Sequence, residues 1–326
     1  MRRRQFIVLL GGTATAWSLG VRAQQSALPV IGVLSSASLT GQVSTRFREG
    51  LKAGGFVEGQ NVKIEFHRAG GHYDQLPVLA TEMVRRRVRL IVATGGLVSA
   101  MAAKAATTTI PILFVSGFDP VKMGLVASYN RPGGNATGVS VYTTELVAKR
   151  LELLRELVPS ATSIAVLVNQ NNAFADVETK DILEAVAQAA GLHLLVLKAG
   201  TESEIEAAFA SAVQQRADAL FVSGDPFFTT RRPLIVALAA RHALPAAYPW
   251  REYAEVGGLM SYGPNIQDSY YQVGLYAGRI LKGEKPAELP VHLPTKFELV
   301  INRMTANALG ITPSRLMLLR MDKLIP

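Results

Sequence analysis

From Pro29 onward the chain alternates short apolar runs with longer amphipathic segments, and this alternation restricts its fold more than any other feature. The first apolar run, Pro29–Leu34, predicts a strand, and residues 42–53 predict the helix that follows it and ends at Gly54-Gly55. A regular succession of such pairs is typical of parallel strands joined by helical crossovers. The sequence therefore predicts an α/β fold.

The strand–helix series reaches a fifth strand and then restarts. Leu220–Gly224 corresponds in order to Leu90–Gly95, and Leu244–Tyr248 corresponds to Ile110–Phe114. The restart predicts two Rossmann-like lobes of similar plan, each with a parallel sheet; a chance likeness between two βα series is the alternative. Strands are expected at 29–34, 62–66, 89–94, 112–115, 136–141, 163–168, 192–197, 219–222, 257–261 and 297–301. Helices are expected at 42–53, 74–86, 98–106, 145–157, 177–190, 202–215, 232–241 and 266–281, with a short helix opening at Asp119-Pro120 and a last turn at 306–309.

The elements left over after the second series indicate that the chain crosses back between the lobes. A length of 326 residues favours two domains. We expect the first lobe to comprise residues 28–142 plus 262–292, and the second lobe residues 143–261 plus 293–326. Several crossings make a hinge, and a hinge between two lobes creates a cleft that can close.

Residues 1–23 have the features of an export signal. Arg2, Arg3 and Arg4 precede an apolar run from Phe6 to Leu19, and Val21-Arg22-Ala23 predicts cleavage near Ala23. The arginines resemble the twin-arginine consensus, with the general secretory route as the alternative. The run is too short for a permanent span, which needs about 20 residues, although an uncleaved anchor is a second interpretation. The prediction is a soluble periplasmic protein.

The charge of the chain is ordinary once this segment is set aside. Residues 1–23 hold four of the 34 basic residues and no acid, which leaves 30 basic against 25 acidic residues, or +5. We therefore expect no nucleic-acid partner. The absence of cysteine excludes disulfide scaffolds and thiolate metal sites. The five histidines lack metal-ligand spacing, and no nucleophile elbow, phosphate loop or complete dinucleotide fingerprint is present. The sequence thus predicts no metal, no cofactor and no enzyme.

The loops that follow the predicted strands are the candidate ligand site, because ligands of open parallel sheets bind beyond the carboxyl ends of the strands. Hydroxyls and helix amides could hold a carboxylate, Asp225 could pair with an ammonium group, and aromatic rings could cover an apolar part. Capping of helices is the rival interpretation, and it is strongest for Asp119 and Asp225 because each precedes a proline. The candidate ligand-binding residues are Ser36, Thr94, Gly95, Ser116, Asp119, Asn169, Asn171, Asp225, Phe227 and Tyr248.

Several motifs resemble those of one family. They are Arg3–Gly12, Gly54–Val62, Ile110–Pro120, Asn130–Asn135, Lys149–Leu154, Ile280–Pro286 and Pro294–Asn302. With them the chain resembles the ABC transporter substrate-binding proteins of the tryptophan/tyrosine-binding-like family, which have the type I periplasmic binding fold. The resemblance covers nearly the whole length.

The resemblance implies a monomeric binder that closes on a small polar or amino-acid-like solute and delivers it to a permease in the inner membrane. Carried over residue by residue, it points to Thr94 and Ser116 in the first lobe and to Asn169 and Asp225 in the second. The chain departs from the family at Asn169-Gln170-Asn171, where Asn-Pro-Asn is frequent.

Two other functions remain as alternatives at this stage. The first is the ligand-sensing part of a regulator, which would need a DNA-binding segment where the export signal stands. The second is a secreted α/β enzyme in which Asp119 and Asp225 act as acid and base across the cleft.

Overall fold

The computed structural model describes residues 28–37, 41–141, 143–144, 146–178, 188 and 191–326. The predicted export signal at 1–23 lies outside the described residues, and so does most of the predicted helix at 177–190. Within the described part no helix is both long and apolar enough to cross a membrane.

The first sheet has five parallel strands in the order β2-β1-β3-β4-β5. Its central strands β3 and β4 are buried along their whole length and apolar up to their last residues, Thr94 and Ser116, as expected for a parallel sheet covered on both faces. The strands are β1 (Val30–Ser35), β2 (Lys63–Arg68), β3 (Leu90–Thr94), β4 (Ile112–Ser116) and β5 (Ala136–Ser140). The helices between them are α1 (Gly41–Ala53), α2 (Leu76–Arg85) and α3 (Leu97–Ala106), with a 3-10 turn at Tyr73–Gln75.

The second sheet has seven strands in the order β12-β11-β10-β9-β8-β6-β7. They are β6 (Ser163–Val168), β7 (His193–Lys198), β8 (Ala219–Val222), β9 (Ala246–Tyr248), β10 (Met260–Pro264), β11 (Phe297–Asn302) and β12 (Lys323–Ile325). The helices in the rest of the described chain are α4 (Val147–Leu157), α5 (Ala175–Glu178), α6 (Glu202–Gln214), α7 (Pro226–Thr230), α8 (Arg232–Arg241), α9 (Arg251–Glu255), α10 (Ile266–Leu281), α11 (Arg303–Ala308) and α12 (Arg315–Arg320).

One pairing contradicts the expectation of purely parallel sheets. Strands β10 and β11 are antiparallel, with Pro264 opposite Phe297 and Met260 opposite Ile301. The reason lies in the path of the chain: β10 runs toward the first lobe, and β11 starts where the chain comes back from it. Because the chain re-enters the sheet at the end of β10 where it left, β11 runs antiparallel to β10.

Some short elements also differ from the prediction. The segment after Asp119-Pro120 forms successive turns rather than a helix. Helices α7, α9 and α12 and strand β12 have three to six residues each, and they were not predicted. Elements of this length show too little periodicity to be read from a sequence pattern.

Helix α10 belongs to the first lobe because it packs closely on α1. A Cβ atom on Gly274 would overlap the carbonyl oxygen of Phe47, and one on Gly50 would overlap that of Tyr271. The chain leaves the second sheet after Pro264, so the crossing lies at Asn265, whereas the boundary expected after residue 261 falls inside β10. A bridge from Val139 to His292 ties the following segment to the first sheet.

Candidate functional site

A cleft of about 790 Å³, counting space that opens to solvent, lies between the two lobes. Its walls come from the carboxyl ends of strands in both sheets, which is where ligands of such sheets bind. The first lobe contributes Val43, Gly95, Gly96, Val141, Ile266 and Tyr270. The second lobe and its connection contribute Thr143, Gly224, Pro226, Arg232, Trp250 and Glu252. Both lobes therefore shape one chamber.

The chamber is mainly apolar, with aromatic rings on opposite lobes. Trp250 follows β9, and Tyr270 lies on the second turn of α10; both side chains are buried. Burial raises the pKa of the Tyr270 hydroxyl, and Thr94 at the end of β3 acts against that rise. Rigid rings of this kind suit the apolar body of a small molecule.

Two charged side chains line the chamber within the described part of the chain, and they have opposite signs. Arg232 is at the first position of α8, where its Nη1 donates to the carbonyl oxygen of Thr229 at 3.0 Å. Glu252 is on α9 and is 9% exposed. Burial raises the pKa of Glu252, and the nearby Arg232 partly opposes that rise. An ionisable group held in this state is a functional candidate.

A smaller adjoining cavity contains a dense polar network around Asp225. The Oδ1 atom of Asp225 accepts from Asn169 Nδ2 at 2.9 Å and from the backbone N–H of Phe227 at 2.8 Å. Its Oδ2 atom accepts from Asn172 Nδ2 at 2.8 Å. The bond to Phe227 makes Asp225 the N-cap of α7. Burial raises the pKa of Asp225, and these hydrogen bonds act against the rise.

The same carboxylate also joins the two lobes. The hydroxyl of Tyr73, in the 3-10 turn of the first lobe, donates to Asp225 Oδ1 at 2.8 Å. Nearby, a Cβ atom built on Gly71 of the first lobe would lie 3.2 Å from Phe227 Cδ2 of the second. Burial and the adjacent carboxylate raise the pKa of Tyr73 well above its ordinary value. These contacts hold the lobes together at one end of the cleft.

Three of the ten residues expected from sequence line the interlobe chamber or the smaller cavity that adjoins it. Gly95 lines the main chamber, while Asn169 and Asp225 line the smaller one. Ser36 and Thr94 are buried behind the wall; Ser36 Oγ donates to the carbonyl oxygen of Gly95 at 2.6 Å. Ser116 and Phe227 are also buried, and Ser116 Oγ accepts from the backbone N–H of Phe118 at 3.1 Å.

The remaining three expected residues lie apart from the chamber walls. Asp119 Oδ1 accepts from the backbone N–H of Val121 at 2.8 Å, so this carboxylate caps a turn. Asn171 Nδ2 donates to the carbonyl oxygen of Gly200 at 3.3 Å. Tyr248 is buried within the second lobe, where its ring stacks on Tyr253 with centroids 4.7 Å apart.

Four prominent lining residues were not chosen from the sequence, namely Arg232, Trp250, Glu252 and Tyr270. Trp250 carried a usable signal because it directly follows an apolar run. Glu252 belongs to the short unpredicted helix α9, and Tyr270 falls on the apolar stripe of α10, which predicts core packing rather than a ligand wall.

No group of three or more His, Cys, Asp or Glu side chains with metal-binding geometry occurs in the ranges that the structure describes. The polar atoms of the chamber are those that suit an organic solute: a carboxylate, a guanidinium, and the backbone of Gly95 and Gly96 before α3.

Comparison with known proteins gives a consistent set of similarities. Residues 28–325 match the family model described as ABC transporter substrate binding protein. A tyrosine-binding protein of Clostridioides difficile (strain R20291) is 30% identical over 265 residues, which is 81% of this chain and 75% of that protein.

Two solved structures share the fold over almost their whole length. An ABC domain from Streptococcus pneumonia in complex with L-Trp has a TM-score of 0.79 at 25% identity, covering 92% of this chain and 100% of that one. The ligand-free, open structure of CD0873, a substrate-binding protein with adhesive properties from Clostridium difficile, has a TM-score of 0.62 at 28% identity, covering 91% and 99%. The two lobes form a type I periplasmic binding fold.

Proposed function

Because the chain belongs to the ABC transporter substrate-binding protein family, we propose that it captures a small amino-acid-like solute in the interlobe chamber and delivers it to a membrane permease. The observation that carries this proposal is the chamber itself, whose walls come from both lobes. A solute held there would contact both halves at once and would favour the closed arrangement.

The comparison scores support a closed arrangement of the lobes. The L-Trp complex and the ligand-free open structure cover nearly equal shares of this chain, yet their TM-scores are 0.79 and 0.62. The interlobe hydrogen bond from Tyr73 to Asp225 has the same implication, because it needs both lobes in contact. The mechanism we propose is a two-lobe clamp that expels water on closing, which strengthens polar contacts in the chamber.

The class of solute follows from the relatives and from the chamber walls. The curated relative is a tyrosine-binding protein, and one structural relative holds L-Trp. Rings of Trp250 and Tyr270, together with one acidic and one basic side chain, suit an amino acid with an apolar side chain. In contrast, Asp119 caps a turn, so the acid–base pair required by the enzyme alternative has no support in the geometry. We propose binding without turnover.

The setting of the protein follows the same proposal. An exported, soluble chain with a signal cleaved near Ala23 would work as a monomer in the periplasm, where its partner is an inner-membrane permease.

The experiment is thermal unfolding of residues 24–326, refolded from denaturant to remove any co-purified ligand, against amino acids, aromatic acids, purines and sugars. A solute at about a thousand times its dissociation constant adds about 4 kcal/mol to the free energy of unfolding. We expect amino acids with apolar side chains to raise the midpoint by several degrees. A panel in which no compound raises the midpoint would contradict the proposal.

A further inference from the structure

Glu252 is a buried acid without an adequate partner. Its Oε2 atom has no hydrogen-bond partner among the described residues, and its Oε1 atom receives only a long bond of 3.4 Å from Gln267 Nε2. With the side chain 9% exposed, water compensates little. Burying a carboxylate in this way is costly unless a partner neutralises it. Without ligand, the Glu252 carboxylate therefore lacks a positively charged hydrogen-bond donor.

The other acid of the same helix shows that this state is specific to Glu252. Glu255, one turn further along α9, pairs with Arg251 Nη2 at 3.0 Å and with Lys323 Nζ at 3.6 Å. Arg251 also reaches Glu298 at 3.2 Å, so the outer face of the helix is balanced within the protein. Of the carboxylates of Glu252, Glu255 and Glu298, only that of Glu252, which lines the chamber, has no ion pair among the described residues.

The chamber supplies the complementary features for a complete ligand. Arg232 has no ion-pair partner in the part of the chain that the structure describes, and it is the other charged residue of the wall. Gly96 lines the chamber and directly precedes the ten-residue helix α3, whose N-terminus no side chain caps. A molecule with one positive and one negative group could pair with Glu252 and Arg232, respectively. Its apolar body would lie between Trp250 and Tyr270.

We propose that Glu252 is the specificity-determining residue of the chamber and selects solutes with a cationic nitrogen, in the first place zwitterionic amino acids with an apolar side chain. This inference rests on the proposed solute-binding function and deepens it. Asp225, the acid expected from sequence to fill this role, already accepts from Tyr73, Asn169, Asn172 and the backbone of Phe227. Both carboxylate oxygens of Asp225 therefore already accept hydrogen bonds from groups of the protein itself.

The test is isothermal titration of the refolded chain with matched probes. L-tryptophan and L-tyrosine are compared with indole-3-propionate and 3-(4-hydroxyphenyl)propionate, which lack only the amino group, and with D-ribose as a neutral solute. We expect binding of the amino acids, and a loss of about 10- to 150-fold when the amino group is removed. Glu252→Gln should weaken amino-acid binding by the same factor and leave the affinity for the deaminated probes within about twofold.

The control variant is Glu255→Gln, which removes a carboxylate from the same helix outside the chamber and should leave all affinities unchanged. Thermal unfolding of Glu252→Gln checks its fold, and its midpoint should equal or exceed that of the unchanged chain because a buried charge is removed. If Glu252→Gln binds the amino acids as tightly as the unchanged chain, the inference is overturned. Binding of the deaminated acids in preference to the amino acids would overturn the inference while sustaining capture of an amino-acid-like solute. Binding of ribose in preference to both would overturn the inference and also the proposed class of solute. Binding of no probe at all would count against both.

Discussion

The Tyr73 hydroxyl lies 2.8 Å from Asp225 Oδ1, and this buried hydrogen bond joins the first lobe to the second. Asp225 is at the same time the N-cap of α7 and the acceptor for Asn169 and Asn172. One carboxylate thus organises the second lobe and fastens it to the first. The carboxylate of Glu252, in the adjoining chamber, makes no comparable set of bonds.

Removing the Tyr73 hydroxyl should weaken closure. A typical hydrogen bond contributes about 1 kcal/mol, so Tyr73→Phe should weaken the affinity for a bound amino acid by about fivefold, measured by calorimetry. The matched control is Tyr276→Phe, whose hydroxyl donates to the carbonyl oxygen of Pro290 inside the first lobe at 2.9 Å. Equal losses in the two variants would show that the interlobe bond has no special part in closure.

Replacing Asp225 should lower stability and affect all solutes alike. Asp225→Ala removes a helix cap worth about 1 kcal/mol and leaves the buried amide donor of Asn169 unpaired, at about 1 to 3 kcal/mol. We expect a fall of about 2 to 4 kcal/mol in the free energy of unfolding, measured by urea titration. Any loss of affinity should be the same for amino acids and for their deaminated analogues. If the affinity fell for the amino acids alone, Asp225 rather than Glu252 would be the residue that binds the ammonium group.

The affinity for amino acids should fall on acidification because of Glu252. Burial raises the pKa of Glu252 above its ordinary value of 4.5, and the charged groups near it are Arg232, which opposes the rise, and Glu255, which adds to it. A protonated Glu252 cannot pair with an ammonium group, so binding weakens as the pH falls through this raised pKa. Titrations between pH 8 and pH 4.5 should show this slope in the unchanged chain and a flat profile in Glu252→Gln; the same slope in both would contradict the assignment.

The same group should influence stability in the absence of ligand. Since its pKa is raised in the folded state, the folded chain binds the proton more tightly than the unfolded chain does. Stability linked to Glu252 is therefore lost as the pH rises from the unfolded pKa through the folded one. Thermal midpoints of the ligand-free chain and of Glu252→Gln should differ more at pH 8 than at pH 4.5, with the variant higher at pH 8.

Close packing of α10 on α1 should tolerate no side chain at Gly274. A Cβ atom there would overlap the carbonyl oxygen of Phe47, so Gly274→Ala should lower the free energy of unfolding by about 1 to 3 kcal/mol or more. The matched control is Gly134→Ala, where a Cβ atom has no neighbour within 4 Å. Urea titrations that give equal values for the two variants would contradict the helix contact.

Much of the fold could be predicted from sequence because buried parallel strands are encoded as short apolar runs. Strands β3, β4 and β6 coincide with three of those runs. The return strand β11 pairs antiparallel because of the path between lobes, which no local pattern records. The site could be predicted only as a location. Ser36, Ser116 and Asp119 look like ligand contacts by type and position. The structure instead shows Ser116 and Asp119 bonded within their own loops, and Ser36 bonded to Gly95 in the loop after β3. Glu252 stands out only once the structure shows its missing partner.

The most direct measurement of the central claim is small-angle X-ray scattering of the chain, refolded free of ligand, with and without a saturating amino acid identified by calorimetry. Closure of two lobes on a solute predicts a smaller radius of gyration in the bound state and a ratio of free to bound form that follows the titrated affinity. An unchanged radius of gyration at full saturation would contradict the clamp.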